Sequence, residues 1–394
     1  MKKQTQAIHL EYERRDAYDS LSVPVYNTLA YEFDNAAVMA EAFTDKIKAP
    51  DYSRVENPTV TNLERRVAAL TDAAHATAFN SGMAAISNTL MALAAQGKNI
   101  VTSKHLFGNT YALLVATLRR FGVKVRLRDL TNIEAVREAI DDDTCCVFLE
   151  ILTNPQLEVA DLKAISEVAH EKNAPLVVDS TVIPFTQFSA KSLGVDIEVV
   201  SSSKYVSGGA TSLGGLVIDY GTPYNGDFAK RLYGEMLFNF GAYMTPQVAY
   251  MQTIGLETLD ARYRVQSSNA LELAKKLRSL PQIKNVNYVG LEDNPYHELA
   301  QRQFGKTAGA MICIDLESKE ACFSFLNNLK LIHRATNLFD NRSLAIHPAS
   351  TIFGAFSESM RKSMDVKDTT IRLSIGLEDV DDLFEDIKQA VDSL

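Results

Sequence analysis

The stretch HATAFNSGMAAISNTLMALAAQGKNIVTSK, His75–Lys104, decides the fold. HATAF is a short run of β-favouring character that ends in the turn residues Asn80, Ser81 and Gly82. From there Met83, Ile86, Leu90 and Leu93 keep helical spacing up to Gly97, and NIVTS follows as a second short β-rich run. A strand, a turn, an amphipathic helix and another strand predict two parallel strands joined by a right-handed helical crossover.

The pattern continues outward. NLERRVAALTDA before it reads as a helix, and after it come TYALLVATLRRFG (helix), KVRLRDL (strand), IEAVREAI (helix), CCVFLEIL (strand), LKAISEVAHEKN (helix) and PLVVDST (strand). LGGLVIDY reads as a further strand beside DIEVV. Such alternation predicts an α/β fold with a mostly parallel central sheet between helices. Residues 1–55 read as an N-terminal arm with at most one short helix, of the kind that wraps a neighbouring subunit. Residues 56–250 form the α/β domain. From 251 to 394 a long amphipathic helix leads into shorter alternating elements, predicting a smaller C-terminal α+β domain.

Bulk properties remove several classes of function. At 394 residues, with 46% hydrophobic and 23% charged residues, the chain has the composition of an ordinary folded protein with room for a deep site. A net charge of −9 opposes nucleic acid, and no basic run offsets it. The start of the chain lacks the apolar core of an export signal, and runs such as Tyr111–Ala116 are too short to span a bilayer, so neither export nor a membrane is expected. Cys145, Cys146, Cys313 and Cys322 form no C-x-x-C and no Cys/His cluster, which fits buried thiols in the cytoplasm and no metal site.

Ligands of open parallel sheets gather at the carboxyl ends of the strands, and three such ends carry unusual residues. Gly82 opens a helix whose free N–H groups face an anion, although taken alone the stretch is a plain strand-to-helix turn. Asp179 ends an apolar strand, where a buried carboxylate calls for a positive partner such as a protonated ring nitrogen; capping of the next turn is the simpler alternative. Lys204, in VVSSSKYVSGG, lies one crossover further on, flanked by Ser201 and Ser203. A lysine for an aldehyde, an aspartate for a pyridinium and a helix N-terminus for a phosphate are the three anchors of pyridoxal 5′-phosphate, PLP. H-E-x-x-H, P-loop, G-x-G-x-x-G and G-x-S-x-G patterns are all absent.

With YSRVENPT, NSGMAAI, TNP, VVDST, SSSKY, IHPAS and IRLSIGLED in this order, the chain resembles the Cys/Met-metabolism family of PLP enzymes over nearly its whole length. The resemblance implies fold-type I and a Schiff-base lysine at Lys204. It implies Asp179 at the ring nitrogen, and Ser81, Gly82, Met83, Ser201 and Ser203 around the phosphate. It places Asn154 at the ring's phenolic oxygen, Phe107 against the ring face, and Asn337 and Arg372 at the substrate carboxylate. Tyr52 and Arg54 would reach the phosphate of a neighbouring subunit, so a homo-oligomer, a dimer of dimers, is implied. The strand context of Arg372 agrees, because Ile371, Leu373 and Ile375 alternate with it.

Two departures narrow the activity. Where the family commonly stacks a tyrosine in an LYG motif, this chain has Phe107, which keeps stacking but loses the hydroxyl that assists a leaving group. Asn109 replaces the cysteine found after that motif in methionine γ-lyases. ATNLFDNRSLAIHPASTIF, Ala335–Phe353, is similar to the sulfhydrylase branch, which transfers sulfide to O-acetylhomoserine to make homocysteine. The expected partners are therefore a small amino-acid substrate and a sulfur donor. Elimination as in the γ-lyases, cystathionine synthesis, and a PLP-carrying protein without catalysis remain open alternatives.

Overall fold

The runs LVVD and IEVV become adjacent parallel strands in the computed structural model, which describes residues 1–10, 16–44 and 46–394. They are β5 (Leu176–Asp179) and β6 (Ile197–Val200), at the centre of a sheet that also contains β1 (His75–Phe79), β2 (Asn99–Ser103), β3 (Lys124–Arg128), β4 (Thr144–Glu150) and β7 (Gly215–Asp219). The order is β1-β7-β6-β5-β4-β2-β3, and only β7 runs against its neighbours. The sheet is thus mostly parallel, as expected.

Successive strand residues point into two different apolar cores. Val147, Leu149, Leu176, Val178, Leu216 and Ile218 pack into one, while Cys146, Phe148, Val177 and Val217 pack into the other. Both faces are covered, which is why these strands read as continuous apolar runs rather than as polar–apolar alternation. At the edge, β3 carries Lys124, Arg126 and Arg128, charges that discourage pairing with another chain.

The crossover helices start where their caps dictate. α1 (Lys3–His9) and α2 (Ala36–Ala42) precede α3 (Pro58–Thr71), whose first turn is set by the Asn57 side chain and by Pro58. α4 (Gly82–Leu93) is capped by Ser81, whose hydroxyl accepts from Ala84 N at 3.1 Å. α5 (Gly108–Ala112) continues as a wide turn over Leu113–Thr117 and a tight one over Leu118–Phe121, ending at Gly122 with φ 78°. α6 (Ile133–Ala139) and α7 (Leu162–His170) complete the crossovers to β4 and β5.

The N-terminal region differs from expectation: its described residues hold two short helices rather than at most one. Asn35 accepts from the N–H groups of Ala37 and Val38 and so starts α2, a run rich in good helix formers. Leu21, Leu29 and Phe43 of this region are exposed. Residues 11–15 and 45 of the expected arm lie outside the described residues.

A second sheet, order β10-β11-β12-β9-β8, is built from β8 (Asn285–Asn287), β9 (Met311–Asp315), β10 (His333–Arg334), β11 (Leu344–Ile346) and β12 (Thr370–Ser374). Helices Leu259–Leu277 and Lys319–Asn328 pack on it, and Val380–Val391 packs against both of those helices. Residue 250, the expected domain division, falls inside the helix Pro246–Glu257. No helix among the described residues is long and apolar enough to cross a membrane.

Candidate active site

Where the carboxyl ends of β4, β5 and β6 meet the second sheet, a cavity of about 480 Å³ opens. It gathers Ser81, Gly82, Met83, Phe107, Asn154, Asp179, Ser201, Ser203, Lys204 and Arg372, residues drawn from positions nearly 300 apart in the chain. That convergence follows from topology. Parallel strands deliver their ends to one edge, and β12 supplies Arg372 from across the gap.

Lys204 follows β6 by one tight turn, its backbone N–H donating to Ser201 O at 3.1 Å. Its Nζ donates to the Asn337 side-chain oxygen at 2.8 Å. Burial, reinforced by the Arg372 charge and opposed by Asp179, pulls the ammonium down to about 8, so a neutral amine is accessible near neutral pH. Asp179 accepts from Thr181 N at 2.9 Å, which favours its ionised form, while burial pushes its pKa up.

At the opening of α4, glycine is required by space. A Cβ on Gly82 would stand 2.6 Å from Ser201 Cβ, so the helix start and the serine turn close on each other only because Gly82 has no side chain. The hydroxyl of Ser203 is held within its own turn, donating to Gly214 O at 3.1 Å and accepting from Gly214 N at 2.9 Å.

Arg372 sits in mid-strand at 3% exposure and opposite to the apolar face formed by Ile371, Leu373 and Ile375. Its guanidinium donates to the Asn154 side-chain oxygen at 3.1 Å and to Asn337 O at 3.2 Å, and its Nε is buried without a partner. Burial lowers its pKa to about 10, which still leaves it charged. A planar cation with an unsatisfied donor beside a cavity is suited to a carboxylate.

Tyr52 and Arg54 are not brought to this cavity. Arg54 donates to Phe238 O at 2.5 Å and lies over the Tyr52 ring, and Tyr52 is 40% exposed. Asn337 reaches the site through Lys204, with its neighbours Thr336 and Leu338 lining the wall. Glu150 and Thr181 also face the cavity and were missed from sequence. Glu150 could have been found by the signal that picked out Asp179, since each is a carboxylate ending a buried apolar strand.

These residues fit PLP: a buried lysine of lowered pKa, an aspartate at a strand end, a helix start stripped of its side chain for an anion, and a carboxylate-seeking arginine. Among the described residues, no group of three or more His, Cys, Asp or Glu is placed to hold a metal ion.

Comparison with known proteins agrees. The family model described as Cys/Met metabolism PLP-dependent enzyme matches residues 4–392. The chain is 37% identical to an L-methionine gamma-lyase of Fusobacterium nucleatum, covering 99% of this chain and 98% of that one. It is 31% identical to the O-acetyl-L-homoserine sulfhydrylase of Corynebacterium glutamicum, covering 98% and 95%. A Campylobacter jejuni structure assigned as O-acetylhomoserine (thiol)-lyase, carrying a pyridoxyl-lysine, superposes with a TM-score of 0.95 at 35% identity and full coverage of both chains. The fold is that of the fold-type I PLP enzymes, and PLP is the cofactor. The chain belongs to the Cys/Met metabolism family of PLP-dependent enzymes.

Proposed function

We propose that the protein replaces the acetate of O-acetyl-L-homoserine with sulfide, giving L-homocysteine and acetate. The observation that carries this reading is the chemistry of the cavity wall. Phe107 stands where a hydroxyl-bearing aromatic would assist a poor leaving group, so the site favours a substrate whose leaving group needs little acid help. Acetate is such a group; a thiolate from methionine is a poorer one.

Among the described residues of one chain, Lys204 and Arg372 are the cationic side chains on the wall. Arg372, with Asn337 beside it, is assigned the substrate α-carboxylate, and Lys204 the reacting carbon.

When bound, PLP supplies the electron sink that acidifies the substrate's α C–H. Asp179 would keep a proton on the ring nitrogen, the α4 start with Ser81, Gly82, Met83 and Ser201 would receive the phosphate, and Asn154 would stand by the phenolic oxygen. Ser203 shapes that turn through Gly214. Lys204 Nζ, its pKa lowered to about 8 chiefly by burial so that the amine form is accessible, would take the α proton and then a β proton. Acetate leaves from the γ carbon, sulfide forms the new C–S bond there, and Lys204 returns the protons. Tyr52 and Arg54 complete the phosphate site of a neighbouring subunit, so the working unit is at least a dimer; the arm, α/β and C-terminal divisions at 1–55, 56–250 and 251–394 and a cytoplasmic location go with this reading.

The 37% identity to a methionine gamma-lyase supports a second reading, γ-elimination releasing a 2-oxo acid and ammonia. It uses the same anchors. Product analysis from O-acetyl-L-homoserine with and without sulfide separates the two, and a parallel tube with O-succinyl-L-homoserine tests the acyl preference.

A further inference from the structure

Glu150 ends β4 at 6% exposure and stands in register with Asp179 at the end of β5. Two carboxyl groups at neighbouring strand ends face one cavity, and only Asp179 has a role in the reading above. A buried carboxyl group beside another is costly, so its partners show what it does. Its two oxygens divide between two loops. One accepts from Phe107 N at 2.5 Å and the other from Asn154 N at 3.3 Å.

We propose that Glu150 is a positioning residue for the cofactor, a single buried side chain that sets the stacking aromatic and the ring-oxygen amide relative to each other. Phe107 N begins the loop into α5, and Asn154 belongs to the loop after β4. The strands behind these segments, β2 and β4, are paired, and His105 meets Glu158 between the same two loops; Glu150 is the side chain that reaches Phe107 and Asn154 themselves. The tie extends further, since the Asn154 side chain accepts from Arg372. Phe107, Asn154 and the carboxylate clamp are thereby held in one chain of contacts that begins at Glu150.

Burial, with the Asp179 charge adding to it, pushes the Glu150 pKa up to about 8. Burial pushes the Asp179 pKa up as well, opposed by the hydrogen bond from Thr181 N and by the Lys204 charge. The cationic groups on the same cavity are Lys204 and Arg372.

The inference rests on PLP being bound. Its test compares full-length holoenzyme of the parent, Glu150→Gln and Glu150→Ala by visible circular dichroism of bound PLP, by PLP affinity after resolution of the cofactor, and by kcat and KM. Loss of one or both acceptor contacts is expected to weaken PLP binding roughly tenfold in Glu150→Ala, with a smaller visible band and a higher substrate KM, and Glu150→Gln falling between it and the parent. Parental dichroism and parental PLP affinity in both variants, whatever their thermal stability, would overturn the proposal. If Glu150→Ala does not fold, Glu150→Gln decides alone: a weakened band supports the tie and a parental band refutes it. A parent protein that takes up no PLP would remove the cofactor reading, and this inference with it.

Discussion

Lys204 Nζ and the Asn337 side-chain oxygen lie 2.8 Å apart, joining a strand end of the parallel sheet to a loop of the second sheet. The same loop holds Arg372 through Asn337 O at 3.2 Å. One short segment thus connects the lysine proposed to move protons with the arginine proposed to receive the substrate carboxylate, and on that proposal changes on either side are expected to be felt by the other.

Replacing Arg372 tests the clamp. Arg372→Lys keeps a charge but loses the fork that meets both carboxylate oxygens, and it leaves the Asn154 contact empty. The expected result is a fall in kcat/KM of about 10²-fold, carried mainly by KM. Steady-state kinetics with an unchanged KM would remove Arg372 from the carboxylate site.

Phe107→Tyr adds a hydroxyl at the cavity position proposed to stack on the ring. Elimination from methionine is expected to rise by about tenfold or more, with little effect on O-acetylhomoserine, whose leaving group needs no acid. Release of 2-oxobutyrate from methionine reports the change, and an unaltered rate would show that the lost hydroxyl is not what disfavours methionine.

The assignment of Tyr52 and Arg54 to a neighbour's site is tested by mixing. Arg54→Ala and Lys204→Ala are each expected to be inactive, yet subunits exchanged between them rebuild intact sites. Random pairing restores roughly a quarter of the parental sites. No recovery after verified exchange would place Arg54 in its own subunit's chemistry.

Away from the cavity, His105 ties three segments together. Its Nδ1 meets Glu158 Oε2 at 2.5 Å and its Nε2 meets Asp365 Oδ2 at 2.8 Å, with Lys104 also on Asp365 at 2.6 Å. Burial opposes the charge on the imidazole, but Glu158 and then Asp365 outweigh it, and the pKa rises above 6.5 despite the Lys104 charge. A histidine raised in the folded state stabilises fully below its unfolded pKa and loses that contribution as pH climbs through the folded value. His105→Gln is therefore expected to lower the Tm by something of order 2 °C at about pH 6 and by less at about pH 9. An equal loss at both pH values would mean that the charge contributes nothing.

Much of this site was legible because its residues sit where local pattern and strand topology coincide. Gly82 opens a helix, Asp179 ends a strand and Lys204 follows the next strand by one turn, so finding the βαβ alternation located them. Phe107, Asn154 and Arg372 needed the family resemblance, since a lone strand arginine has no local signature. Glu150 passed unread although it ends CCVFLE as Asp179 ends PLVVD, because nothing in the sequence says which strand ends become neighbours. Pairing of β4 with β5 supplies that information. The second helix of the N-terminal region was missed for a simpler reason: seven residues give too few periods to stand out, and the Asn35 cap decides the matter.

The central claim is tested most directly by incubating the purified protein with O-acetyl-L-homoserine, with and without sulfide, and measuring homocysteine and 2-oxobutyrate in each tube. Homocysteine that forms only with sulfide, accompanied by little 2-oxobutyrate, is the expected result. Release of 2-oxobutyrate at the same rate with or without sulfide would contradict the substitution reading and make the protein a lyase on the same anchors.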